Sequence, residues 1–145
     1  MEQITVTVDN IKVQVAKGST VLDAARAAGI FVPTLCYMEG HKPLGACRVC
    51  LVEVEGAKGG LQASCSLPAM DGMVVRTNTK RVHDARKTVV ELMLSAHRQD
   101  CLSCVRSLNC ELQELAKRLG IQENRFMGDM PPAIVDTSSP SVVRD

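Results

Sequence analysis

Ile4, Val6 and Val8 alternate with Gln3, Thr5 and Thr7, and the alternation resumes after Asp9-Asn10 in Ile11, Val13 and Val15. A period of two on both sides of a two-residue turn predicts a β-hairpin with one face on a core. Gly18-Ser19-Thr20 closes that hairpin. Val21 to Ala28 reads as a short helix, with Thr20 as its N-cap, Asp23 at the third helical position and Gly29 as its stop. Residues 34–50 lose all periodicity and carry three cysteines. Alternation returns from Arg48 to Glu55, with Val52 and Val54 on one side and Glu53 and Glu55 on the other. Gly56 to Gly60 is a turn, and Leu61 to Cys65 and Met73 to Thr77 are short strands separated by Pro68, Asp71 and Gly72. The succession of strand, strand, helix, then three strands predicts a small mixed sheet crossed by one helix. A doubly wound sheet would need more helices than this stretch supplies.

After Asn78 the period changes. Val82, Ala85, Val89, Leu92, Met93 and Ala96 recur at threes and fours, with Arg86, Lys87 and Glu91 placed opposite. That pattern predicts an amphipathic helix of about 16 residues. His97 stands at its end, and residues 98–109 form a loop with two cysteines. A second helix runs from Cys110 to Leu119, with Leu112, Leu115, Ala116 and Leu119 on one face and Gly120 as its stop. Beyond Gln122, Pro131-Pro132 and Thr137-Ser138-Ser139-Pro140-Ser141 predict a linker or an extended strap. The class is α+β. The expected organisation is one unit over 1–78, a helical unit over 79–119 and an extended linker over 120–145.

Charge and composition narrow the function. Lysine plus arginine number 17 against 16 acidic residues, a formal charge of +1, which argues against a nucleic-acid footprint. Phe31, Tyr37 and Phe126 are the whole aromatic complement, too few for a base-stacking platform. No apolar run approaches the roughly 18 residues that a membrane span needs. Met1 to Asp9 lacks a basic segment followed by an apolar one, so no secretory signal is expected, and the expected location is the reducing cytoplasm. Seven cysteines is an odd number, which excludes a fully paired disulfide scaffold within one chain. In a reducing compartment such cysteines read as metal ligands or redox groups.

They fall into two constellations. Cys36, Cys47, Cys50 and Cys65 are four thiolates suited to zinc or to an iron–sulfur cluster. Gly40, Pro43, Gly45 and Ala46 favour the cluster, because a loop of small and turn-forming residues can aim backbone N–H groups at sulfur. A CxxC redox dithiol at Cys47 and Cys50 would leave Cys36 and Cys65 unexplained. His97, Cys101, Cys104 and Cys110 form the second set, within one short loop between two helices. Alone, His97 would read as a solvated residue in a helix's last turn. Three thiolates and one imidazole also suit structural zinc, and spacing does not separate zinc from [4Fe–4S]. A redox cluster next door favours a relay. Together the sets use every cysteine and one histidine, eight ligands for two four-ligand sites. No nucleophile, Walker sequence or dinucleotide fingerprint remains, so no catalytic residue is assigned.

The stretch Leu35-Cys36, Gly45-Ala46-Cys47-Arg48-Val49-Cys50 and Ala63-Ser64-Cys65 resembles the N-terminal [2Fe–2S] ferredoxin-like domain of two related groups. These are the iron–sulfur-rich large subunit of respiratory NADH dehydrogenase and the [FeFe]-hydrogenase catalytic subunit of NAD(P)-linked enzymes. His97, Cys101, Cys104 and Cys110 resemble the ligands of their [4Fe–4S] domain; some NAD-linked formate dehydrogenases share the tandem. The resemblance covers residues 1 to 119. It implies a β-grasp ferredoxin fold, followed by a small helical domain. It implies [2Fe–2S] at Cys36, Cys47, Cys50 and Cys65, and [4Fe–4S] at His97, Cys101, Cys104 and Cys110. The tail from Ser139 to Asp145 looks like the segment before further cluster domains. The expected function is an electron-transfer module, the N-terminal part of an [FeFe]-hydrogenase subunit, not catalytic by itself. Its expected partners are flavin-bearing or ferredoxin-like carriers in a multisubunit oxidoreductase. The alternatives are the same module in an NADH or formate dehydrogenase subunit, and a zinc-bound docking module.

Overall fold

A computed structural model describes residues 2–57, 60–129 and 135–141. The expected hairpin is β1 (Gln3–Val8) and β2 (Ile11–Ala16), antiparallel, with Val8 facing Ile11 across the turn. Asp9 and Asn10 take φ of 45° and 71°, the left-handed pair that a tight two-residue hairpin turn requires. Helix α1 (Val21–Ala27) carries a complete capping box. The Asp23 backbone N–H donates to Thr20 Oγ1 at 3.2 Å, and the Thr20 backbone N–H donates to Asp23 Oδ2 at 2.8 Å.

Strands β3 (Leu51–Val54), β4 (Leu61–Ala63) and β5 (Val74–Arg76) complete one five-stranded sheet in the order β2-β1-β5-β3-β4. Among the described residues only β1 and β5 run parallel. Helix α1 lies on this sheet, and Val6, Val8, Val21, Leu22, Val52 and Val75, all fully buried, form the first core. Cys50 and Cys65 belong to that core. Strand β3 starts at Leu51, later than the expected Arg48, because Arg48 sits in a left-handed turn at φ 58°. The expected Gly56–Gly60 turn includes Lys58 and Gly59, which lie outside the described residues.

Helix α2 (Lys80–Ser95) has the expected length and is capped by Thr79, whose Oγ1 accepts from the Val82 backbone N–H. Its buried face differs from the expected one. Val82, Arg86, Val90 and Glu91 are buried, whereas Leu92 is 51% exposed. Hydropathy places the two charged residues outward, but both find partners: a strand carbonyl for Arg86 and the exposed Arg125 for Glu91. Arg86 donates to the Leu51 carbonyl from Nε at 3.0 Å and Nη2 at 2.6 Å, which ties α2 to β3. Glu91 accepts from Arg125 Nε at 2.9 Å.

Helix α3 (Glu111–Arg118) packs Leu115 and Leu119 against Val90 and Val49 in a second core. Leu35 and Cys47 also pack there, so the loop before β3 joins the sheet to the helices. Residues 121–129, expected as linker, return to α2 through Arg125, and a Cβ on Gly128 would lie 2.9 Å from the Ser95 carbonyl oxygen. The Pro131-Pro132 part of that linker and Val142 to Asp145 lie outside the described residues. No helix among the described residues is long and apolar enough to cross a membrane.

Candidate metal centres

The first cysteine set is built at the edge of the sheet. Cys50 immediately precedes β3 and Cys65 follows β4 by two residues, so the antiparallel pairing of these strands brings them together. The Ser64 backbone N–H donates to the Cys50 carbonyl at 3.1 Å and holds that register past the strand ends. Cys36 and Cys47 come from the irregular loop. Within it Gly45 adopts φ 62°, and a Cβ there would lie 3.2 Å from Ser66 Oγ. Glycine therefore suits both the backbone turn and the close approach of the loop to the turn beyond β4. The result directs the Cys47 backbone N–H at Cys36 Sγ, 3.5 Å away.

That bond is the main reason the Cys36 thiol sits below its ordinary value of 9.0. Cys65 behaves oppositely. Burial, a hydrogen bond with Cys50, and the charges of Cys50, Cys36 and Cys47 push it up to about 11. The other three thiols are therefore within electrostatic reach of Cys65. Cys50 and Cys65 are buried, while Cys36 and Cys47 are partly exposed. Clustered thiolates raise one another's energy, and a positive centre among them removes the repulsion, as iron in a cluster does.

The second set surrounds a cavity of about 530 Å³. His97, Cys101, Cys104 and Cys110 all line it, with Leu94, Leu112 and Ile121 supplying apolar wall. Position explains the convergence. His97 follows the C-terminus of α2, Cys110 is the N-cap of α3, and successive turns carry Cys101 and Cys104 between them. The Cys104 carbonyl accepts from the Ser107 N–H at 3.0 Å, and Cys104 Sγ accepts from the Arg106 N–H at 3.4 Å. Both sets thus show a backbone N–H directed at a cysteine sulfur. Among the described residues no three His, Cys, Asp or Glu side chains converge closely enough to hold one metal ion. The structure accordingly assigns each set a shared location without fixing a coordination geometry.

Glu53 and Glu55 are ion-paired at the surface, Glu53 with Arg81 at 3.3 Å and Glu55 with Arg76. Sequence reasoning missed the burial of Arg86. The available signal was its spacing, since Val82, Arg86 and Val90 fall at i, i+4 and i+8 on one stripe.

Comparison with known proteins assigns the two regions. The family described as 2Fe-2S iron-sulfur cluster binding domain matches residues 1–80. The family described as NADH-ubiquinone oxidoreductase-G iron-sulfur binding region matches residues 86–125. The chain is 45% identical over 150 residues to NADP-reducing hydrogenase subunit HndD of Solidesulfovibrio fructosivorans, covering 100% of this chain and 26% of that protein. It is also 45% identical over 123 residues to an NADH-quinone oxidoreductase subunit of Rhizobium meliloti, covering 85% and 14%. A crystal structure of an NAD+-reducing [NiFe]-hydrogenase superposes with a TM-score of 0.85 at 36% identity, covering 94% of this chain and 57% of that one. The chain thus spans about a quarter or less of these two curated relatives.

These matches correct one expectation. The resemblance points to the [FeFe]-hydrogenase catalytic subunit, yet the same fold occurs in a [NiFe] enzyme and comparable identity extends to a subunit of an NADH-quinone oxidoreductase. The cysteine motifs and their loops say nothing about the catalytic metal of a larger assembly. A ferredoxin-like [2Fe–2S] domain is followed here by a small helical [4Fe–4S]-binding region. The chain belongs to the family of 2Fe-2S iron-sulfur cluster binding domains, which its first 80 residues match.

Proposed function

We propose that the chain is a two-centre electron relay of a multisubunit NAD(P)-linked redox enzyme, of the kind that contains NADH-dehydrogenase-like or [NiFe]-hydrogenase-like subunits, working in the cytoplasm. Cys36, Cys47, Cys50 and Cys65 hold the [2Fe–2S] cluster within a unit spanning residues 1–78. His97, Cys101, Cys104 and Cys110 hold the [4Fe–4S] cluster within residues 79–119. The observation that supports this reading is that four predicted ligands, spread over 14 residues from His97 to Cys110, line one cavity. Bound clusters supply one-electron couples.

The protein's own groups do the rest. Backbone N–H groups of Cys47 and Arg106 donate to sulfur and stabilise negative charge there. The first core keeps water from Cys50 and Cys65. The neutral imidazole of His97 leaves its site less negative than a fourth thiolate would, which raises the potential. The second core touches both sites: Cys47 packs against it, and Leu94 and Leu112, which belong to it, line the His97 cavity. Relatives named for NADH, NADP and NAD+ chemistry support the assignment to such an enzyme.

Anaerobic reconstitution followed by metal and sulfide analysis tests the proposal. About six irons and six sulfides per chain are expected, with two distinct reduced EPR signals. Two zincs without sulfide would instead identify a structural zinc module. His97→Ala should alter only the [4Fe–4S] signal; an unchanged spectrum removes His97 as a ligand.

A further inference from the structure

Arg86 is the unusual residue of α2. It is 8% exposed and shares the buried stripe with Val82 and Val90. Its hydrogen-bonding partner among the described residues is the Leu51 backbone carbonyl, which accepts from Nε at 3.0 Å and from Nη2 at 2.6 Å. No carboxylate pairs with it among the described residues. A carbonyl oxygen satisfies N–H donors but does not neutralise a charge. An uncompensated buried cation is costly, so such a group is found where an anion balances it. Burial lowers the guanidinium's pKa to about 10, which still leaves it charged at neutral pH.

The groups within electrostatic reach of it are Cys50 and Asp9. Asp9 is already engaged, accepting from the Thr77 backbone N–H at 2.7 Å and from Thr77 Oγ1. Cys50 directly precedes the residue whose carbonyl Arg86 grips, and it is 1% exposed. The cation therefore lies in the interior against the start of the strand that leads out of the first cysteine set.

We propose that Arg86 is a buried countercharge to the [2Fe–2S] centre, positioned by the Leu51 carbonyl, and that it raises that centre's reduction potential. This rests on the assignment of Cys36, Cys47, Cys50 and Cys65 as its ligands. A thiolate-bound centre is net negative and gains one further negative charge on reduction. A fixed cation in a low-dielectric interior favours the reduced form more than the oxidised one. Arg86 does not touch the cluster and acts as a positioning and electrostatic group. The rival explanation is a purely structural tether between α2 and β3, which would leave the potential unmoved.

The test is an EPR-monitored redox titration of the reconstituted full chain, wild type against Arg86→Gln, Arg86→Met and Arg86→Lys. The methionine variant fills the same volume without needing a partner, and covers the case in which the amide variant fails to fold. Each neutral variant should shift the one-electron reduction equilibrium of the [2Fe–2S] centre about tenfold toward the oxidised form, equivalent to about 59 mV. Arg86→Lys, which keeps the charge, should stay near wild type, and the [4Fe–4S] potential should stay constant throughout as an internal reference. A folded, cluster-loaded neutral variant with the wild-type potential overturns the proposal. Failure of both neutral variants to fold also overturns it, in favour of the tether. Absence of a [2Fe–2S] signal from the wild type defeats the ligand assignment instead, so the two failures are distinguishable.

Discussion

Leu115→Ala removes a side chain from the middle of the second core. Leu115 is 5% exposed and shares that core with Val49, Val90 and Leu119, the remaining contacts coming from partly buried neighbours. Three carbons leave, and at about 0.8 kcal/mol each the transfer component is about 2.4 kcal/mol. A cavity penalty adds to this, but α3 is only eight residues long and one face of it is open, so it can settle inward. The expected cost is about 2–3 kcal/mol. For a chain of this size that lowers the melting temperature by roughly 5–10 °C. The location of the loss is the sharper expectation. Cys110 caps α3 and His97 follows α2, so the second site should loosen first. The β-sheet core, built from other residues, should persist. On urea titration of the reconstituted protein, the [4Fe–4S] EPR signal should disappear at lower denaturant than the [2Fe–2S] signal and the far-UV dichroism of the sheet. A Leu115→Ala protein with unchanged midpoints would refute the reasoning about the second core. Loss of both signals at one midpoint would refute its separation from the first.

Other expectations concern charge, backbone and capping. Glu91 is fully buried, and Arg125 holds its carboxyl below the ordinary value of 4.5. Because the folded-state pKa is depressed, this contribution is present above the unfolded value and fades as pH falls through the folded one. Glu91→Gln should therefore be less stable than wild type at pH 7, with the difference shrinking below pH 4.5 in urea melts followed by dichroism. A constant difference down to pH 2 would contradict the linkage. Gly45→Ala forces a side chain into left-handed backbone beside Ser66 and should cost about 1–2 kcal/mol, with cluster loss from the first set accelerated on dilution into chelator. Wild-type stability and retention would show that the loop has other ways to place Cys47. Thr20→Ala removes the α1 cap and should cost about 1 kcal/mol in thermal melts, without changing either EPR signal.

The sequence was most legible where local rules decide structure. The hairpin register follows from alternation plus Asp9-Asn10, and α1 follows from Thr20, Asp23 and a run of small apolar residues. The limits of α2 follow from a capping Thr79 and a sustained helical period. The grouping of the second set was also legible, because its four residues occupy one loop whose ends are held by α2 and α3. The buried face of α2 was not. Hydropathy sends Arg86 and Glu91 outward because an unpaired charge avoids the interior, and the groups that admit them lie 35 and 34 residues away. The second core was hidden for a similar reason: Leu35, Cys47 and Val49 sit in an aperiodic loop that shows no face.

From the sequence alone come the element types, their approximate limits and the grouping of seven cysteines and His97 into two candidate sets. The elements and their limits depend on neighbours a few residues apart. Tertiary structure decided the parallel pairing of β1 with β5, the joining of the cluster loop to α2 and α3, and the burial of a cation beside the first cysteine set. These depend on which distant surfaces meet, and burial energy is set by the whole assembled interior rather than by any one segment.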